Sequence, residues 1–275
     1  MPPLDFNLAA YNVFLRPPWP IFRDGQLARA RRLAAPLLQR DHDAIALAEA
    51  FHPKARRILL DGLAAAYPHR TLRVGARARR ALCGGILVVS RWPIEAQAER
   101  LFDVAATFDR VATKGVVYVR IRKGDRPVHV FATHVNAGTD TAAVRARQFA
   151  TIRRFIDDCR IPSDEPVLLA GDLNVDPTSE EYPGMLAALG GGVPPMQGPR
   201  YSFDPIRNSL ATGRRRELLD YVLYSARHLA PAACSFEVTP PQTPPWRERW
   251  WQRQRRDLSD HYPVVGRFRF DDSPA

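Results

Sequence analysis

Short apolar runs alternate with amphipathic segments along most of this 275-residue chain. Apolar runs bounded by turn residues, many of them β-branched, predict strands at 6–15, 44–47, 84–90, 116–121, 128–133, 167–170, 219–224 and 264–270. Helical spacing of apolar residues predicts helices at 26–39, 54–67, 143–158 and 180–189. No internal repeat and no linker interrupts this alternation.

The number and order of these elements indicate an α/β fold. With 45% hydrophobic residues, a chain of this length can bury one large core, and two small domains are the alternative. A strand-rich α/β pattern predicts two packed sheets with helices outside them. We therefore expect residues 1–275 to form a single domain.

Polar side chains stand at or just after the ends of many predicted strands. One such residue alone is usually a turn or cap residue, but nine together indicate a site where catalytic groups converge. The nine are Asn12, Glu49, His134, Asn136, Asp172, Asn174, Asp220, Asp260 and His261.

The oxygen-rich composition of this set predicts a hard metal ion. Glu49, together with Asn12, suits Mg²⁺ or Mn²⁺, which accept carboxylate and amide oxygens. The three cysteines are far apart in the chain and form no closely spaced zinc-binding pair. A bound Mg²⁺ that accepts a phosphate oxygen would support hydrolysis of a phosphoester.

The remaining polar residues suit acid–base and hydrogen-bonding roles. His261 could accept a proton from the attacking water, oriented by Asp220 or, as the competing candidate, by Asp260. We expect His134 and Asn174 to donate hydrogen bonds to phosphoryl oxygens. Asp172 would hold the water or the leaving group, and Asn136 is a supporting or alternative metal-orienting residue.

The ordered motifs resemble those of the endonuclease/exonuclease/phosphatase superfamily. Besides Asn12 and Glu49, they are Thr133-His134, Gly171-Asp172-Leu173-Asn174, Leu219-Asp220-Tyr221 and Ser259-Asp260-His261, which together cover nearly the whole chain. The resemblance implies a DNase I-like, four-layered α/β sandwich with two mixed β-sheets flanked by helices.

Within that superfamily the chain is most similar to the bacterial and neutral sphingomyelinases. The similarity lies in the segments 84–94, 113–118, 128–130, 204–209 and 257–264, and in Arg145 and Gln148. It implies Mg²⁺-dependent cleavage of sphingomyelin to ceramide and phosphocholine. The chain departs from the family at Ala48, where Gln is usual, and its 102–113 loop lacks the cysteines that secreted relatives often carry there.

The segment 239–256 places Trp246, Trp250 and Trp251 among several arginines. By its position it resembles the hairpin with which secreted sphingomyelinases contact the membrane, and indole beside Arg suits a lipid headgroup region. A nucleic-acid clamp, in which Trp stacks on bases, is the less favoured alternative. A tryptophan cluster folded onto the core is the third interpretation.

The net charge of +11 indicates an anionic partner, since 37 of the 40 basic residues are Arg and only three are Lys. A compositional bias toward Arg explains the excess equally well. We expect a monomer that acts on a phospholipid membrane, with nucleic acid the less favoured partner. The first ten residues show no export signal, which predicts a cytoplasmic protein, whereas the family resemblance predicts a secreted or peripheral membrane one.

Two classes of function remain open from the sequence. The first is an enzyme, either the sphingomyelin phosphodiesterase or a nuclease or phosphoinositide phosphatase of the same superfamily. The second is a catalytically silent protein that binds phosphate or lipid. The presence of both Glu49 and His261 favours an enzyme.

Overall fold

The computed structural model describes residues 3–19, 21–22, 24–78, 82–248 and 254–271. In these ranges the strands are β1 (Leu4–Leu15), β2 (Ala44–Ala50), β3 (His69–Arg70), β4 (Leu82–Cys83), β5 (Leu87–Ser90), β6 (Ile94–Leu101), β7 (Ala112–Thr113), β8 (Gly115–Lys123), β9 (Arg126–His134), β10 (Val167–Asp172), β11 (Gly191–Gly192), β12 (Met196–Gln197), β13 (Asp220–Ser225), β14 (Ala233–Val238) and β15 (Val264–Phe270). The α-helices are α1 (Gln26–Leu38), α2 (Pro53–Leu63), α3 (Ala142–Asp158) and α4 (Glu181–Leu189). Two short 3₁₀ helices lie at Thr107–Val111 and Thr139–Thr141.

Most of the strands belong to two mixed sheets. The first sheet has the order β12-β14-β15-β1-β2-β5-β3, and the second has the order β11-β13-β10-β9-β8-β6. β1 runs parallel to β2 and β9 runs parallel to β10, so each pair ends at the same edge of its sheet. β4 and β7 form a separate two-stranded ladder.

The central strands of the first sheet are buried on both faces. In β1, Phe6, Leu8 and Ala10 face one core, whereas Ala9 and Tyr11 face the other. Successive side chains of a strand point to opposite faces, so this alternation shows that a separate layer covers each side of the sheet. The alternation explains why β1 has an almost continuous apolar sequence.

The two cores identify the layers. Helices α1 and α2 cover the outer face of the first sheet, where Leu33 and Leu59 are fully buried. Helices α3 and α4 cover the outer face of the second sheet. Their residues Ile152 and Met185 belong to the larger core, which also contains the residues packed between the two sheets. The order of layers is therefore helices, sheet, sheet, helices. The predicted fold of two packed sheets flanked by helices is confirmed.

Besides five two-residue strands, the structure adds two longer strands that the apolar pattern did not predict, β6 and β14. β6 has the sequence IEAQAERL, is mostly exposed, and forms the edge of the second sheet beside β8. An exposed edge strand buries little apolar surface, and after Ile94 the alternating apolar positions of β6 are alanines, which have a low strand propensity. Pairing with β8 determines its conformation instead.

Two further observations concern the lengths of the helices and the state of the cysteines. Among the described residues, no helix is both long and apolar enough to cross a membrane. Cys83, Cys159 and Cys234 are all half-buried and free.

Candidate active site

Three candidate residues form a row across the second sheet. In the strand register Asp172 of β10 lies directly opposite Asp220 of β13 on one side and His134 of β9 on the other. Residues directly opposite each other place their side chains on the same face. Gly171 precedes the central aspartate with φ 145°, and a Cβ there would lie 1.9 Å from the Thr133 carbonyl oxygen. Glycine thus lets β9 and β10 approach closely beside the site.

The first sheet contributes two residues from the point where β1 and β2 separate. Asn12 pairs with Ala48, and the register shifts before Leu15 pairs with Ala50. Phe14 and Glu49 both have positive φ, 50° and 55° respectively. Left-handed backbone at residues other than glycine is strained and concentrates at functional sites. The irregularity brings the side chains of Asn12 and Glu49 together.

The Asn12 amide connects the two sheets. Its Nδ2 donates to Glu49 Oε1 at 3.1 Å within the first sheet and to Asp172 Oδ2 at 3.1 Å in the second. Its Oδ1 accepts a hydrogen bond from the Phe14 backbone N–H at 3.1 Å. One buried amide therefore holds two carboxylates from different sheets at a shared centre.

His261 lies beside the row of the second sheet. Its Nδ1 is 2.6 Å from Asp220 Oδ2, and its Nε2 is 3.9 Å from Asp172 Oδ2. Burial disfavours the charged imidazole, but the Asp220 and Asp260 carboxylates outweigh burial and raise the pKa of His261 well above its usual value. Asp220 thus occupies the orienting position at Nδ1, whereas Asp260 Oδ1 lies 3.3 Å from Ser259 Oγ.

The buried carboxyl groups of the site have raised pKa values, because nearby positive charges do not offset their burial and mutual repulsion. Burial, reinforced by the charge of Asp220, raises the pKa of Asp172 to about 7. Burial also raises the pKa of Asp260 to about 7, and the Glu49 carboxylate adds to that shift. The pKa of Glu49 itself is raised by burial, with Lys114 and the Asn12 hydrogen bond acting against it. Several carboxylates held together in this way favour the binding of a cation.

His134 and Asn174 border the same centre. His134 Nε2 is 3.4 Å from Asp172 Oδ2, and its buried Nδ1 has no hydrogen-bond partner among the described residues. Burial, together with the charges of Lys114 and His261, holds the pKa of His134 well below its usual value. Asn174 has φ 49°, and its backbone N–H donates to Asp172 Oδ1 at 3.1 Å. The neutral imidazole can donate a hydrogen bond, and the Asn174 amide, which donates one N–H to the Val135 carbonyl at 3.3 Å, has a second N–H to donate.

Lys114 is a site residue that the sequence reasoning did not assign a role. It is 4% exposed, pairs with Asp109 at 2.8 Å and donates to the Val135 carbonyl at 3.0 Å. Its charge lowers the pKa of both Glu49 and Asp172. The only sequence signal was a lysine just before an apolar strand, where the family resemblance already marked 113–118.

A buried arginine fixes the loops that carry Asn12 and His261. Arg29 of α1 is fully buried, and its guanidinium donates to the Val13 and Phe14 carbonyls, to the Leu258 carbonyl at 2.9 Å and to Asp24. Nearby, Ser259 Oγ donates to the Asn12 carbonyl at 2.6 Å. The end of β1 and the 258–261 loop are therefore held to one another.

One predicted site residue lies outside this network. The Asn136 side chain accepts from the Ala106 N–H at 2.8 Å and donates to the Ala137 carbonyl at 2.7 Å. Both of its polar atoms bind backbone groups, and its role as an alternative metal-orienting residue stays a prediction. It supports the loop after β9.

Two positions could hold a metal ion. Asp172, Asp220 and His261 offer ligand atoms within 4.8 Å of one another. However, the 2.6 Å bond between Asp220 Oδ2 and His261 Nδ1 already occupies one potential ligand atom on each of these two residues. At the other end, Glu49 forms no salt bridge with any basic side chain in the described part of the chain. The oxygens of Glu49 and Asn12 therefore fit a hard cation better.

The tryptophan- and arginine-rich segment is only partly described. Trp250 and Trp251 lie outside the described residues. Trp246 and Arg255 form a two-bond antiparallel bridge, with N···O distances of 2.7 and 2.9 Å. Trp246 is 4% exposed and packs in the core beneath α1 and α2. The expectation that Trp246 contacts the membrane is therefore wrong, because its ring anchors the base of the segment.

Comparison with known proteins agrees with this geometry. Residues 9–261 match the Endonuclease/Exonuclease/phosphatase family. Sphingomyelinase C of Listeria ivanovii is 32% identical over 96% of this chain and 86% of its own length. The crystal structure of sphingomyelinase C from Streptomyces griseocarneus superposes with a TM-score of 0.88 and 35% identity, covering 96% of this chain and 99% of that one.

A mutant of Staphylococcus aureus beta toxin with bound magnesium ions superposes with a TM-score of 0.89 and 28% identity. That match covers 96% of this chain and 99% of the beta toxin chain. The chain belongs to the endonuclease/exonuclease/phosphatase family, and the DNase I-like architecture implied by its motifs is confirmed.

The contact between Asp220 and His261 generates a pH prediction. In metal-free protein, Asp220→Asn should move the titration of the His261 imidazole to lower pH, because the carboxylate that most stabilises the imidazolium is lost. NMR titration of the imidazole signals in the presence of EDTA measures the midpoint. Asp125→Asn, at an exposed turn, is the matched control and should leave the midpoint unchanged. An unchanged midpoint in Asp220→Asn would contradict the assigned pairing.

Proposed function

We propose that this protein is a Mg²⁺-dependent phosphodiesterase that hydrolyses sphingomyelin, or a related choline phospholipid, to ceramide and phosphocholine at a membrane surface. The observation that carries the proposal is the seam between the two sheets, where carboxylates, a neutral imidazole and an Asp220–His261 pair converge. The sphingomyelinase C relatives match nearly the whole chain, which supports the proposal.

Glu49 and Asn12 would hold the Mg²⁺ ion, since both present oxygen atoms next to further buried acids. When bound, the ion would neutralise charge developing on the phosphoryl group and lower the pKa of the neighbouring acids and of His261. His261 Nε2 would then accept a proton from the attacking water. Its Nδ1–H stays bonded to Asp220, which stabilises the imidazolium that results.

His134 and Asn174 would donate hydrogen bonds to the phosphoryl oxygens. Both lie within reach of Asp172, which borders the space between the metal ligands and His261. Asp172, with a raised pKa, is suited to hold the attacking water or the leaving oxygen. Donors placed where negative charge develops typically contribute about 10²–10³-fold to a rate.

The site requires residues from position 12 to position 261 and from both sheets. We therefore propose that residues 1–275 act as a single catalytic domain and as a monomer, because one chain supplies every group. The proposed substrate lies in a bilayer, so the enzyme would work as a peripheral membrane protein. We propose that Trp250 and Trp251 contact the lipid, and the bridge between Trp246 and Arg255, which flanks them in the sequence, supports this proposal.

A nuclease of the same family is the second candidate function. The net charge of +11 and the Arg-rich segment favour it over a phosphoinositide phosphatase, because both features suit a nucleic-acid backbone. A silent binding protein is disfavoured because the Asp220–His261 pair and the Glu49–Asn12 contact are both present.

A comparison of two substrates tests the proposed function. Wild-type protein with Mg²⁺ should release phosphocholine from sphingomyelin vesicles, lose that activity with EDTA and regain it with Mg²⁺. Glu49→Gln should lower turnover at limiting Mg²⁺ by at least about 100-fold, because it removes a charged metal ligand. Glu180→Gln, at an exposed position, is the matched control.

The same preparation is assayed for Mg²⁺-dependent nicking of plasmid DNA. Nicking without phosphocholine release would establish the nuclease instead of the phosphodiesterase proposed here. Near-normal turnover of Glu49→Gln at limiting Mg²⁺ would disprove the metal assignment alone.

Replacing Trp250 and Trp251 together by Ala tests the membrane-binding hairpin. Binding to sphingomyelin vesicles should weaken by about tenfold or more, because two interfacial indoles are lost. Hydrolysis of a short, water-soluble choline phosphodiester should change little, since an interfacial anchor contributes to membrane binding and not to the chemical step. Replacing both residues by Phe, which retains aromatic surface, should restore much of the binding. Equal loss on both substrates would place the tryptophans in the core or the site, and loss of DNA binding alone would favour the nuclease.

A further inference from the structure

A polar cleft adjoins the candidate active site on the side of Asn174. Its volume is about 710 Å³, and its lining includes Asn174, Asp176, Arg215, Glu217 and Leu219. Asn174 is shared between the cleft and the phosphoryl-binding groups. A substituent on the phosphorus atom can therefore extend from the reacting centre into this cleft.

An irregular three-segment ladder places an aromatic ring and a carboxylate beside His261. Phe203 and Glu217 exchange two backbone hydrogen bonds, both 2.9 Å long. Phe203 also forms an antiparallel bridge with His261, supported by a 2.7 Å bond from the Tyr262 N–H to the Ser202 carbonyl. Residues directly opposite in such bridges project on the same face, so the three side chains are neighbours. The rings of Phe203 and His261 are 5.2 Å apart between centroids.

Two basic side chains near Glu217 form salt bridges with other carboxylates. Arg216 pairs with Asp204 at 2.7 Å and lies over the Tyr201 ring, and Arg145 pairs with Glu181. Both of these cations are occupied by other carboxylates.

Asp176 is also committed, because its oxygens accept the Thr178 and Leu218 N–H groups. By contrast, Glu217 is half-buried and forms no salt bridge among the described residues. Burial and the charge of Asp176 raise the pKa of Glu217, while Arg215 and His261 lower it. A cation next to Glu217 would offset the cost of its partial burial.

We propose that Glu217 and Phe203 form the subsite for the quaternary ammonium end of the phosphocholine headgroup. This inference rests on the proposed function, and it assigns headgroup selectivity to two residues that the catalytic steps do not use. A trimethylammonium group has no N–H to donate and is recognised by an aromatic face and a nearby carboxylate. The position beside His261 keeps the headgroup close to the phosphorus atom under attack.

The test compares two p-nitrophenyl phosphodiesters, one of choline and one of 3,3-dimethylbutanol. The two esters have nearly the same shape, but only the choline ester carries a positive charge. Wild-type protein with Mg²⁺ should favour the choline ester in kcat/KM. In Glu217→Gln that preference should fall about tenfold, mainly through KM, because the choline cation loses its neighbouring carboxylate. A tenfold fall corresponds to about 1.4 kcal/mol of lost interaction.

Phe203→Leu should lower the same preference about threefold, since the cation loses its contact with an aromatic face. Glu217→Asp keeps the charge and should retain part of the preference. Glu180→Gln, the matched control at an exposed carboxylate, should behave as wild type on both esters. Thermal unfolding followed by circular dichroism verifies that each variant is folded.

The outcomes separate this inference from the proposed function. If wild-type protein hydrolyses neither ester with Mg²⁺ nor sphingomyelin, the proposed function fails. If it hydrolyses both esters without preference, or if Glu217→Gln keeps the wild-type preference, the subsite is wrong while the phosphodiesterase stands. Equal losses on both esters in Glu217→Gln would mean that Glu217 supports the structure of the site, and this result would also overturn the subsite.

Discussion

The site depends on the buried amide of Asn12, which bonds at once to Glu49 in its own sheet and to Asp172 in the other. Without these two hydrogen bonds, the carboxylates of Glu49 and Asp172 would repel each other with no group between them to hold them. An amide donates hydrogen bonds without adding charge, so it holds the acids together and leaves their negative field in place for a cation. The packing of two sheets thus creates a catalytic centre that neither sheet contains alone.

Buried hydrogen bonds hold the Asn12 side chain and the strand end that carries it in position. Arg29 satisfies the carbonyls at the end of β1 and at Leu258, and Ser259 bonds to the Asn12 carbonyl. The left-handed backbone of Phe14 and Glu49 costs roughly 1–3 kcal/mol at each residue and persists only because its surroundings hold it. The acids with raised pKa values and the His261 pair are therefore products of rigid packing. A cation in the centre would relieve the repulsion that the packing imposes.

Much of this arrangement could be predicted because strand ends are visible in the sequence. Asn12 and Asp172 follow apolar runs, His261 stands just before one, and neighbouring strand ends meet at one edge. The pairing of Phe203 with Glu217 could not be predicted, since both lie in short irregular segments without periodicity. Trp246 was assigned wrongly because a tryptophan among arginines looks the same in the sequence whether it contacts a membrane or packs in the core. The backbone partners of Asn136 could not be predicted either, because strand position alone does not show which backbone groups need a partner.

The location of the metal ion tests the central claim most directly. In crystals of this protein soaked with Mn²⁺, an anomalous difference peak should lie within coordination distance of a Glu49 oxygen, roughly 2.0–2.2 Å, at the seam beside Asn12. The 2.6 Å bond between Asp220 and His261 should remain intact in the same crystals. A peak between Asp172, Asp220 and His261, or no peak near Glu49 at saturating Mn²⁺, would contradict the account.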